Sequence, residues 1–185
     1  MGWLALLLAG ALLCGCSGMD GLMEEALHFR SELLGAESCS FVSNITADYG
    51  DTVDRFSLSC QMGSDGVLHF AVESPESIRG ITGAVDNDEG AFTFAEDVLA
   101  FPLMADDRLS PVSAPWIFVN TLKNGYITAV TREGELLHLS ISDSYEDDPL
   151  ELEIWISREG SPTSAEISWQ GRRMLSMEIG NWKFE

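Results

Sequence analysis

Few residues of this chain stand at spacings that support chemistry. Its three histidines, His28, His69 and His138, are scattered, and each lies in or beside an apolar run. A lone histidine in such a setting reads as a packed or satisfied residue, not as a base or ligand. No G-x-S-x-G, H-E-x-x-H or P-loop pattern occurs. Asp86-Asn87-Asp88-Glu89-Gly90 has a calcium-loop composition but lacks the glycine at the sixth position and the glutamate at the twelfth, so it reads as a hairpin turn. Asp143 to Asp148 is acidic enough to hold a cation weakly and reads as a solvated loop. The expectation is a non-enzyme with no catalytic residue, no cofactor and no metal. What remains is thiol chemistry at Cys14, Cys16, Cys39 and Cys60.

The first two cysteines follow an unbroken apolar run from Trp3 to Leu13. That run is too short to cross about 30 Å of hydrocarbon as a helix but suits the apolar core of a signal peptide. Leu13-Cys14-Gly15-Cys16 resembles a bacterial lipobox, in which a small residue precedes a cysteine that receives a diacylglyceryl group. Gly15 supplies the small residue, whereas bulky Leu13 disfavours Cys14 as the acceptor. The n-region, Met1-Gly2, departs from the usual pattern in carrying no Lys or Arg. The resemblance implies removal of residues 1–15, acylation of Cys16, a short tether over 16–18, and one domain over 19–185 on the extracytoplasmic face of a cell membrane.

The chain carries 30 acidic and 10 basic side chains, a net charge of −20. Such a chain is repelled by nucleic acid and by anionic head groups, so nucleic acid is excluded as a partner and membrane attachment requires the covalent anchor. Asn44-Ile45-Thr46 is a glycosylation sequon in name alone in such a setting. Outside the cytoplasm a Cys39–Cys60 disulfide is expected. If Tyr49-Gly50 forms a two-residue hairpin loop, the register sets Cys39 opposite Cys60; the alternative is a pair of buried free thiols.

These residues must be positioned by a helix, a run of strands and a second helix. Residues 19–35 read as an amphipathic helix, with Asp20 able to cap it and Leu22, Met23, Ala26, Leu27, Phe29, Leu33 and Leu34 forming one broad apolar face. About ten strands follow, separated by turn-rich segments. A second helix is inserted at about Ser113 to Asn124, with Ser113 as a plausible cap and Pro115 in the first turn. Trp116, Ile117, Phe118 and Val119 make this helix apolar all round for a full turn, so it must be covered on more than one side. It is either a lid over an apolar concavity, which makes these four residues ligand-binding candidates, or a core helix between the sheet and its loops.

The element order, the passage Phe56-Ser57-Leu58-Ser59-Cys60 with Asp65 to Pro75, and the closing Pro162 to Trp169 with Arg173 to Phe184 resemble the LolA/LolB lipoprotein-carrier family over residues 19–185. The resemblance implies an α+β fold: a long antiparallel sheet curved into an incomplete β-barrel, closed by an N-terminal helix and an inserted helix over an apolar cavity. It also implies a membrane-anchored protein that binds a hydrophobic ligand, such as a lipid or lipoprotein acyl chains. GerS-like germination lipoproteins of spore formers share the fold, so the alternative is a scaffold that docks an envelope or spore protein and transports nothing.

Overall fold

The computed structural model describes residues 17–86, 89–94, 97–105 and 108–185. Cys14, Cys16, Asn87 and Asp88 lie outside these residues, and with them the expected lipidation at Cys16. Helix α1 (Ser17–Gly35) leads into strands β1 (Ser38–Asp48), β2 (Val53–Gly63), β3 (Leu68–Ser74), β4 (Thr82–Asp86), β5 (Glu89–Phe94) and β6 (Asp97–Pro102). A small hairpin, β7 (Met104–Ala105) and β8 (Arg108–Leu109), precedes helix α2 (Ala114–Asn124). Strands β9 (Tyr126–Glu133), β10 (Leu136–Ser142), β11 (Leu150–Ile156), β12 (Pro162–Trp169) and β13 (Arg172–Phe184) complete the chain. Eleven strands form one unclosed antiparallel sheet in the order β6-β5-β4-β3-β2-β1-β13-β12-β11-β10-β9. The expected α+β architecture of a long open sheet with two helices is the one observed.

The alternation of side chains selects one inner face. Along β1, Cys39, Phe41, Ser43, Ile45 and Ala47 point inward and are buried, as a period of two requires. Leu58, Cys60 and Met62 on β2, Leu68, Phe70 and Val72 on β3, and Leu152, Ile154 and Ile156 on β11 continue that face. Both helices pack on it. Phe29 of α1, Phe41 of β1, Phe118 of α2 and Trp182 of β13 meet with ring centroids 5.2 to 6.4 Å apart, locking the helices to the middle of the sheet.

Two glycines let the far half of the sheet accept large rings. Gly83 lies across from Phe70, and a β-carbon there would sit 2.4 Å from the Phe70 ring and 2.5 Å from the Ala91 carbonyl oxygen. Gly90 lies across from Phe101, whose ring comes within 2.1 Å of a β-carbon placed there. The result is an aromatic row: Phe70 meets Phe92 edge-on at 5.8 Å, and Phe92 stacks on Phe101 at 4.5 Å.

Three local expectations are corrected. First, α1 already includes Ser17, so Asp20 lies inside its first turns and does not cap it. Its buried stripe is narrow, Ala26, Phe29 and Leu33, while Met23, Leu27 and Leu34 stay exposed. Second, Ser113 makes no side-chain cap on α2; its hydroxyl donates to the Ser110 carbonyl at 2.6 Å.

Third, the β1–β2 loop spans four residues, 49–52. The Gly50 N–H donates to Asp48 Oδ1 at 2.8 Å, and the Tyr49 N–H to the Thr52 carbonyl at 3.0 Å. The register is therefore displaced by two: Cys39 pairs with Met62, and Cys60 with Phe41. A shift of two preserves the inner face, so both thiols are buried and diagonal to each other. Diagonal side chains stand about 7–8 Å apart, well beyond the roughly 4 Å between β-carbons that a disulfide needs. Both cysteines are free in this structure.

Candidate ligand-binding cavity

Between the aromatic half of the sheet and the segments that cross it lies an apolar cavity of about 350 Å³. Phe56, Val72 and Phe92 supply its floor from the inner face. Ile78 and Ile81, in the turn between β3 and β4, form one wall; Pro111 and Val112, in the single 3-10 turn that feeds α2, form another; Leu99 of β6 borders its open side. Ser110 is the one polar residue in this lining. Volume and lining fall within the range of small-molecule sites. A second recess of about 300 Å³ shares Phe92 and Ser110 and continues past Tyr49, Phe101 and Arg108. Its rim is fixed: the Tyr49 hydroxyl donates to the Leu109 carbonyl at 2.5 Å, and Arg108 reaches Asp51 at 3.0 Å and lies 5.2 Å from the Tyr49 ring centroid.

The four lid candidates are not at this cavity. Trp116, Ile117, Phe118 and Val119 are all buried in the central core, and none lines the cavity. The Trp116 indole donates to the Gly66 carbonyl at 3.2 Å, tying α2 to the β2–β3 turn. Of the two arrangements open from the sequence, α2 adopts the core helix. The residues that do form the cavity, above all Phe56, Ile78, Ile81 and Phe92, gave no signal in the sequence beyond ordinary apolar character.

A larger depression of about 780 Å³ lies on the outer face, lined by Asn44, Arg55, Glu133, Trp155, Glu166 and Glu178 among others. It is open, and polar and apolar residues are mixed in its lining. Beside it His138 lies flat on Trp155, with ring centroids 4.6 Å apart, between Glu133 at 3.2 Å and Glu153 at 2.6 Å. His138 is thus packed as expected. His28 and His69 are not packed: both are exposed, His28 standing 3.6 Å from Glu32. Asp86 pairs with Glu89 across the β4–β5 reversal, the hairpin that the acidic run suggested. In the 143–149 loop the Asp143 carboxylate accepts the Leu150 N–H at 2.9 Å, and exposed Tyr145 rests on Tyr126 at 3.7 Å. Among the described residues no group of three or more His, Cys, Asp or Glu is placed to hold a metal ion, and no helix is long and apolar enough to cross a membrane.

No protein-family profile and no curated protein matches the sequence. Solved structures do match in shape. A LolA superfamily protein from Nitrosomonas europaea aligns over 86% of this chain and 93% of its own, with TM-score 0.50 and 10% identity. An uncharacterized conserved protein from Thermus thermophilus aligns over 88% and 87%, with TM-score 0.48 and 10% identity. The lipoprotein LppX of Mycobacterium tuberculosis aligns over 88% and 95%, with TM-score 0.45 and 13% identity. At these identities the likeness concerns shape. The open eleven-stranded sheet with its two inner helices shares its fold with that LolA superfamily protein.

Proposed function

We propose that this chain is an extracytoplasmic, membrane-anchored, non-catalytic protein that holds a hydrophobic ligand, a lipid or lipoprotein acyl chains, in the half-barrel. The observation that carries the reading is the 350 Å³ cavity, with eight of its nine lining residues apolar. Burying apolar surface in such a space gains roughly 25 cal/mol per Å², so affinity arises without any directed polar contact. The LolA-like fold and the resemblance of Leu13-Cys14-Gly15-Cys16 to a lipobox support the same reading, since an acylated Cys16 would hold the cavity close to a supply of lipid. Titration with a dansyl-labelled fatty acid tests it. Saturable binding lost in Ile78→Trp, which fills the cavity from its rim, is expected; equal binding by that variant would rule the site out.

A further inference from the structure

We infer that the free edge of β6 is a docking site for an extended, basic segment of another protein, added to the sheet as a further strand. β6 stands at one end of the eleven-stranded order, and among the described residues no strand pairs beyond it. The opposite edge, β9, is packed by α1. Edge strands are usually blunted by lysine, proline or a covering element. β6 has no such protection before Pro102: Val98 and Leu99 are each 68% exposed, and Ala100 is exposed between them and Phe101.

The backbone donors are aimed outward. Phe94 and Asp97 are the last pair of the β5–β6 ladder, with Leu99 opposite Phe92 and Phe101 opposite Gly90; if Phe94 and Asp97 exchange hydrogen bonds, alternation directs the N–H groups of Val98 and Ala100 away from β5. Pro102, which has no N–H, falls at the next such position, and the row of donors ends there. Side chains of an added strand would alternate in the same way. Those beside Leu99 would extend the apolar wall of the cavity on its open side, and those beside Val98 and Ala100 would face the solvent.

Charge selects the partner. Residues 86–107 contain seven acidic side chains and no Lys, Arg or His. A second copy of this chain would bring its own −20 charge, which opposes self-pairing. A segment that alternates apolar and basic residues satisfies both faces.

The test uses the full chain in detergent with a short synthetic peptide of alternating Val and Lys, followed by fluorescence anisotropy and backbone amide exchange. Binding with new protection at the Val98 and Ala100 amides is expected. So is weakening of at least about tenfold, or 1.4 kcal/mol, by N-methylation of alternate peptide residues or by Ala100→Pro in the protein. The N-methylated peptide keeps the test valid if Ala100→Pro fails to fold. Equal binding of polylysine, protection confined to other strands, or a concentration-dependent dimer abolished by Ala100→Pro would each overturn the proposal. None of these readouts depends on a lipid in the cavity, so this inference can fail while the ligand reading stands.

Discussion

The Trp116 indole N–H and the Gly66 carbonyl, 3.2 Å apart, join α2 to the turn between β2 and β3. A helix held in this way, with Phe118 and Val119 completely buried beneath it, is a fixed part of the core. Trp116→Phe is expected to cost about 1 kcal/mol of stability through the lost hydrogen bond and to leave fatty-acid affinity unchanged. Phe118→Ala is expected to cost about 3–5 kcal/mol. Urea denaturation measures both. A Trp116→Phe protein of full stability but altered ligand affinity would show α2 to be a moving lid.

The glycines of the aromatic half make a graded prediction. At Gly83 an added methyl meets a backbone carbonyl oxygen as well as the Phe70 ring; at Gly90 it meets the Phe101 ring, the movable end of a side chain. Gly83→Ala should therefore cost about 1–3 kcal/mol by overpacking, and Gly90→Ala should cost less. Thermal unfolding of the two variants side by side gives the order.

Cys39 and Cys60 are expected to remain thiols. Maleimide should label neither in the folded protein, where both are buried, and both after denaturation without reductant. A denatured, unreduced protein that takes no label would instead show the bridge and require the β1–β2 register to be revised.

The same thiols govern stability at alkaline pH. Burial raises Cys39 from its ordinary 9.0 to about 11. Burial, followed by repulsion from Cys39, pushes Cys60 up, and burial raises Tyr49 as well. Above the ordinary value the unfolded chain releases these protons while the folded chain retains them, so the slope of stability with pH is negative there. The stabilisation is complete below about pH 9 and is lost as the pH climbs through 11. Urea midpoints taken across that window should fall, and Cys39→Ala should fall less steeply than the parent.

Much of this architecture was legible in the residues. The apolar face of α1 and Pro115 in the first turn of α2 marked both helices, and the turn-rich segments marked the run of strands. Register was not legible: the loop takes four residues, with the Tyr49 N–H on the Thr52 carbonyl and the Gly50 N–H on Asp48, where the sequence suggested two. The cavity was not legible either. Trp116 to Val119 formed the most conspicuous apolar run of the insertion, yet that density serves the core. The open space lies where Ile78, Ile81 and Val112, far apart in the chain, come together over Val72 and Phe92.

The attachment reading has its own test. Cys16→Ala is expected to block incorporation of a clickable fatty acid and to move the protein from the membrane fraction to the soluble fraction. Unchanged fractionation would place the anchor elsewhere.

The measurement that bears most directly on function is native mass spectrometry of the full chain purified from its own membrane, beside Ile78→Trp. A hydrophobic adduct on the parent protein that is missing from the variant is the predicted result. A parent protein that carries no adduct, even after incubation with lipids from that membrane, would contradict ligand carriage in this half-barrel.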